Sequence, residues 1–305
     1  MTSPPTETKL AIIGDIHGKW DADDTAYFNA SDVDGLLFTG DMASFTDGGM
    51  HRVVDELLEL RKPFALIAGN HDCVTMPALL GEVLGKELPS DLAAASIQRR
   101  YECLQQRLGT RLLAYSSTEV AGLHVVGARP FAMDGTRLSF SSALERLFGI
   151  DSGEASARRL SETLAGVRGP AILLSHNGPR GLGDTPDAPY GIDFRPESGD
   201  NGDADLAEAI AAHGDQVRLV VSGHMHHAIR GGKGTLRRYV VYRDGILYVN
   251  GARVPRHIGS ERAYYQRVEL RDGVPVLLQE VQYSRKTLQS LPPQVLWQRE
   301  PDVSG

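Results

Sequence analysis

Cysteine is nearly absent from this chain of 305 residues, which has only Cys73 and Cys103. Neither belongs to a Cys-x-x-Cys pair, so a disulfide framework and a thiolate zinc site are both excluded, and the reducing cytoplasm is the expected setting. Long apolar runs are missing too. No stretch approaches the roughly 18 residues needed to span a bilayer, and the opening MTSPPTETK has no basic region leading into an apolar segment, so no membrane association is expected. Positive charge is in deficit: 32 Lys and Arg against 39 Asp and Glu leave a formal charge of −7. That balance offers no general attraction to nucleic acid or to an anionic membrane. No internal repeat and no Pro/Ser-rich linker divides the chain, which argues for one domain.

What is present is an apolar fraction of 41%, enough to bury a substantial core. Short β-rich runs recur as KLAIIGD, GLLFTGD, FALIAGN, LHVVGA, PAILLSH and VRLVVSGH. Several are almost continuously apolar, as expected of strands covered on both faces. Helical spacing appears between them, over 51–61 and near 94–108, 139–149 and 156–167. The alternation predicts an α/β layered fold. Beyond residue 235, Asp244-Gly245 and Asp272-Gly273 each sit between β-rich arms and predict antiparallel hairpins. Residues 177–205 have no clear period and form a long loop of the functional or mobile kind. The last twenty or so residues, with Pro292, Pro293 and Pro301, predict a loosely packed tail.

The chemistry collects at strand ends. In AIIGDIHGKW, Asp15 and His17 stand two residues apart, and such positions of an extended chain point to the same side. LLFTGD delivers Asp41, LIAGNHD delivers Asn70, His71 and Asp72, ILLSH delivers His176, and VVSGHMH delivers His224 and His226. Oxygen and nitrogen donors without thiolate suit Mn, Fe or Zn better than a structural cysteine-zinc site. Taken alone, Asp15, Asp41 and Asn70 read as turn formers. His51, His124, His213 and His257 have no motif partner, and His227 should point away from His226 on an extended backbone.

The ordered set GDIHG, GD, GNHD, SH and GHMH resembles the calcineurin-like metallophosphoesterases, over about residues 9–252. The resemblance implies a metallophosphoesterase-type four-layer fold, a central β-sandwich flanked by helices, with the later hairpins in the second sheet. With no linker in the chain, a single domain over 1–283 is expected, followed by the 284–305 tail. The resemblance further implies two divalent ions: Asp15, His17 and His226 on the first, Asn70, His176 and His224 on the second, and Asp41 bridging both. The reaction implied is hydrolysis of a phosphoester in a small phosphorylated molecule, by attack of a metal-bound hydroxide on phosphorus. His71 would face the scissile phosphate as proton donor, with Asp72 as its orienting carboxylate.

Protein Ser/Thr phosphatases of this superfamily usually carry GDxxDRG and GNHE, whereas this chain has GDMASFT and GNHD. The phosphate-gripping Arg is therefore missing at that position, and the pattern is closer to phosphodiesterases, nucleotidases and nucleotide pyrophosphohydrolases. Within the long loop, Arg180 and Tyr190 are the candidate substrate contacts, a guanidinium fork for an anion and a ring for a base. Arg195 reads as a solvated loop charge, and Arg230, Lys233, Arg237 and Arg238 as a solvated face, with a basic rim that steers substrate as the alternative. The alternatives are a protein Ser/Thr phosphatase, a nuclease, and a metal-binding interaction protein without catalysis.

Overall fold

The computed structural model of the chain describes residues 6–43, 49–83, 90–135, 137–193, 199–230 and 234–300. Arg195 and Lys233 lie outside the described residues. Four strands open the first sheet: β1 (Glu7–Ile13), β2 (Gly35–Phe38), β3 (Phe64–Ile67) and β4 (Leu112–Leu113). They pair in parallel. The second sheet begins with β5 (Ser116–Val120) antiparallel to β6 (Leu123–Gly127), which continues in parallel with β7 (Ala171–Leu174) and β8 (Val217–Ser222). All residues of β2, β3 and β7 are buried, which is why GLLF, FALI and AILL show no alternation.

The helices at α1 (Ala22–Ala30), α2 (Met50–Leu58), α3 (Met76–Val83), α4 (Ser90–Leu108), α5 (Ser141–Phe148), α6 (Gly153–Ala165) and α7 (Ala204–Ala212) flank the two sheets. Among the described residues no helix is long and apolar enough to cross a membrane. Gly35 and Gly127 mark where the sheets meet, because a Cβ on either would strike Val120 or Leu113 at 2.5 or 2.3 Å.

Both Asp-Gly hairpins form, joining β9 (Val240–Arg243) to β10 (Ile246–Asn250) and, after β11 (His257–Ile258), β12 (Arg262–Arg271) to β13 (Val274–Ser284). Both residues of each turn have positive φ, as a two-residue hairpin of this hand requires. They part company in placement. The first joins β8 in the second sheet, whereas the second runs antiparallel to β1 and extends the first. The expected loose tail also differs, since β14 (Gln294–Gln298) pairs with β13 and sets Trp297 against Tyr242 at a ring separation of 5.1 Å.

The long loop is closed on itself. Pro179 bridges Asp203 and Gly191 bridges Asp200. At its end the buried Arg129 donates to Asp203 at 2.7 Å and to Asp205 at 2.9 Å, so that end of the loop is tied to the segment that follows β6.

A second buried ionic cluster supports the turn after β1. Asp24, in the capping box of α1, pairs with Arg256 at 3.1 Å and His257 at 2.9 Å and accepts from the Tyr283 hydroxyl. Arg256 also donates to the Lys19 carbonyl at 2.9 Å, while Arg52 of α2 donates to the carbonyls of Gly18 and Trp20 at 2.6 and 2.8 Å. Burial alone would raise the Asp24 carboxyl, but Arg256 and His257 hold it below the usual carboxylate range. A carboxyl depressed on folding stabilises above its unfolded pKa, about 3.9, and that stabilisation is lost as pH falls through the folded value. Asp24→Asn is therefore expected to cost about 3–5 kcal/mol at neutral pH by leaving Arg256 uncompensated. In denaturant unfolding the gap to wild type should narrow only below about pH 4; a gap constant down to about pH 2.5 would contradict the role.

Candidate metal centre

The sequence places its donors on turns beyond the carboxyl ends of β1, β2, β3, β7 and β8, where the two sheets abut. Binding at the carboxyl ends of parallel strands is the general pattern of α/β folds. Asp15, His17, Asp41 and His224 all have positive φ, from 23° to 65°. Non-glycine residues held there bear a local cost that packing around them must offset.

Two groups of donors result. In the first, Asp15, His17 and His226 offer ligand atoms that all lie within 4.8 Å of one another. His17 Nε2 is 3.2 Å from His226 Nε2, which is 3.4 Å from Asp15 Oδ2. In the second, Asn70 Oδ1 lies 2.8 Å from His176 Nε2 and 3.0 Å from His224 Nδ1. Asp41 stands between them, with Oδ1 3.5 Å from His176 Nε2 and Oδ2 3.8 Å from His17 Nε2.

The chemistry of these donors fits cations. His176 Nδ1 lies 2.6 Å from the Thr39 carbonyl and must donate to it. A neutral imidazole then turns the lone pair of Nε2 toward Asn70 Oδ1, so two acceptors face each other. Such pairs belong around an ion, because ligands about 2.1 Å from one metal stand about 3 Å apart. Electrostatics agrees. Burial, with Asp15 and Asp72 nearby, drives the Asp41 carboxyl well above its ordinary value, the signature of negative charge gathered without compensation. Burial would raise Asp15 as well, but the His226 hydrogen bond and the neighbouring imidazoles hold it low. Burial and the neighbouring His176 bring the His224 imidazole down to about 3, which keeps it neutral and able to ligate.

Glycines permit the close approach. A Cβ on Gly69 would stand 2.2 Å from Asp41 Oδ1 and 2.6 Å from His176 Cε1, and one on Gly223 would stand 2.2 Å from Asp15 Oδ1. Thr39 was not singled out in the sequence, yet its hydroxyl donates to Asp15 at 3.2 Å while its carbonyl orients His176. Asn250 was missed as well; its amide donates to the Met225 carbonyl at 2.8 Å and steadies the turn carrying His224 and His226. Thr39 stands directly before the Gly-Asp of its motif, which was the available clue; Asn250 had none.

His71 borders both groups, with Nε2 4.0 Å from Asp41 Oδ2 and its ring 5.4 Å from that of His17. Burial and the neighbouring His17 bring its imidazole down to about 3. Asp72 faces the main chain. Its two oxygens accept the main-chain N–H groups of Ala43 at 3.0 Å and Gly69 at 2.9 Å, fastening the Asp41 turn to the Asn70 turn.

The substrate contacts also change. Tyr190 is fully buried, its ring against Gly178 and its hydroxyl on Ser222, so it cannot stack on a base. Arg180 remains exposed and gives one N–H to the Gly135 carbonyl at 2.7 Å. The basic rim dissolves: Arg237 is buried, and Arg238 pairs with Asp184 and Asp187 of the long loop. His227 does point away from the centre, bonding the Asn250 carbonyl and stacking on Tyr239.

These strand ends, paired sheets and convergent donors are those of a metallophosphoesterase. The chain belongs to the calcineurin-like phosphoesterases, whose sequence profile matches residues 8–228. That family generally uses a dinuclear divalent metal centre. A probable cyclic nucleotide phosphodiesterase of Synechococcus sp. is 31% identical over 202 residues, which are 65% of this chain and 60% of that protein. The match thus spans less than two thirds of the relative. Among solved structures, TT1561 of Thermus thermophilus superposes with a TM-score of 0.50 at 11% identity, over 96% of this chain and 100% of the other. A putative 5′-nucleotidase from Staphylococcus aureus gives the same score and identity over 98% of this chain and 56% of its own. At that identity the likeness is one of fold.

Gly69→Ala should leave a folded protein that takes up less Mn²⁺ than wild type when measured by elemental analysis after desalting, because the added methyl displaces Asp41 and His176. Wild-type uptake would contradict the packing argument.

Proposed function

We propose that this chain is a dinuclear metal-dependent hydrolase of phosphodiester bonds in small molecules, with cyclic nucleotides as the substrate class to test first. The carrying observation is Asp41, whose two oxygens face two separate groups of donors. The diester preference is supported by the description of the Synechococcus relative as a cyclic nucleotide phosphodiesterase and by the absence of the GDxxDRG arginine from the second motif.

In this reading Asp15, His17 and His226 hold one ion, Asn70, His176 and His224 the other, and Asp41 both. When bound, the ions supply Lewis acidity and an activated water for in-line displacement at phosphorus. Four imidazoles and an amide contribute no negative charge, so the centre as a whole attracts an anionic phosphoester. His71 is the group outside both donor sets that is placed to hold a proton at the leaving oxygen. Burial disfavours its charged form, and an anionic phosphoester beside it opposes that effect. Asp72 keeps the Asp41 and Asn70 turns in register and touches no reacting atom. His226, with 37% of its side chain exposed, marks the side open to substrate. Arg180, on the exposed loop surface, is the proposed remaining contact for a second anionic group.

Chelated protein should lose hydrolysis of bis-p-nitrophenyl phosphate and of a 3′,5′-cyclic nucleotide, and Mn²⁺, Fe²⁺ or Zn²⁺ should restore it. Asp41→Asn should remove it altogether. Activity that survives both chelation and Asp41→Asn would refute the reading, and a strong preference for p-nitrophenyl phosphate would redirect it to monoesters. His71→Ala should keep its metal and lower kcat by about 10²–10⁴-fold on the cyclic nucleotide; unchanged turnover would remove His71 from the mechanism.

A further inference from the structure

His226 is the weakest-held member of the first donor group. His176 is fixed by its hydrogen bond to the Thr39 carbonyl, and His17 Nδ1 approaches the Ala43 carbonyl at 3.4 Å. The His226 ring has no such support at Nδ1 among the described residues, and it lies on an open turn beyond β8. Metal-binding imidazoles are usually oriented through their second nitrogen. Here the orientation must come from the main chain.

One side chain controls that main chain. Arg237 is 2% exposed, and its Nε donates to the carbonyl of His226 itself at 2.7 Å. Nη1 donates to the carbonyls of Ala188 at 2.9 Å and Gly191 at 3.0 Å, in the long loop. Nη2 lies 3.6 Å from Asp193 Oδ2, and that oxygen also accepts the Arg230 N–H at 2.8 Å. The Arg237 main-chain N–H completes the clamp on the His227 carbonyl at 2.8 Å. A planar guanidinium that donates in several fixed directions can tie these segments together at once, which a lysine cannot do.

We propose that Arg237 is the positioning residue of the first metal site. It acts through the His226 carbonyl, and it recruits residues 188–193 of the long loop as the fixed wall against which His226 is set. The inference rests on the dinuclear reading above. Loss of the guanidinium frees the His226 carbonyl and leaves the loop carbonyls without their buried donor, so the imidazole loses its direction while Asn70, His176 and His224 keep theirs. The effect is thus confined to one of the two sites.

Metal binding tests this apart from turnover. Chelated wild type, Arg237→Met and Arg237→Lys are titrated with Mn²⁺ against a fluorescent chelator, each also in an Asn70→Ala background that isolates the first site and a His17→Ala background that isolates the second. Wild type should take two ions. Arg237→Met should weaken the first site by about 10–100-fold, the range for groups that orient metal ligands, and leave the second within about twofold; Arg237→Lys should fall between. Equal weakening of both sites, or no weakening of either, would overturn the positioning role while the dinuclear reading stands. Failure of wild type to bind Mn²⁺ would overturn both. Should Arg237→Met not fold, Arg237→Lys carries the same comparison.

Discussion

Two buried carboxylates, Asp15 and Asp41, face a ring of neutral nitrogen and oxygen donors where two sheets meet, and the surrounding architecture follows from keeping them there. Like charges and opposed lone pairs repel in a low-dielectric interior, so the protein must hold this arrangement by force or fill it with cations. Local structure supplies the holding. Glycines at 69 and 223 let the backbone come within contact of the carboxylates, positive φ angles turn Asp15, Asp41 and His224 out of their strands, and Asp72 ties two of the turns together through main-chain N–H groups.

Around this centre the second layer is ionic to an unusual degree for a core. Arg256 with Asp24, Arg129 with Asp203 and Asp205, and Arg237 with Asp193 are buried guanidinium groups that pair with carboxylates, and Arg256 and Arg237 also hold loop carbonyls. Buried ion pairs are a poor source of net stability, since desolvation opposes the attraction. Their geometry explains their use. A guanidinium offers five donors in a plane, and the loops that carry the candidate donors hold many carbonyls with no strand to satisfy them. Arg52 and Arg256 serve the Gly18–Trp20 carbonyls, Arg237 those of His226, Ala188 and Gly191.

The proposed ligand set was legible in the sequence because the chemistry restricts residue type: carboxylate, amide and imidazole had to follow apolar runs, and the five motifs stand in chain order. Apolar strands and Asp-Gly turns were legible for the same reason, since each has a local physical cause. What depended on partners distant in sequence was not. Tyr190 looks like a loop aromatic until Ser222 and Gly178 are seen beneath it, Arg237 looks like a surface charge until its carbonyl partners converge, and Asp72 seems aligned with His71 although it faces the backbone. Strand β14 is only the five residues QVLWQ, without alternation and after two prolines, so its pairing with β13 had no periodic signal.

The proposed mechanism requires Asp41 to lie between two ions. Anomalous diffraction from crystals of the Mn²⁺-loaded protein, recorded above and below the manganese edge, tests it most directly. Two peaks about 3.5–4 Å apart, one beside Asp15, His17 and His226 and one beside Asn70, His176 and His224 with Asp41 shared, are the predicted result. A single peak, or two that do not share Asp41, would contradict it.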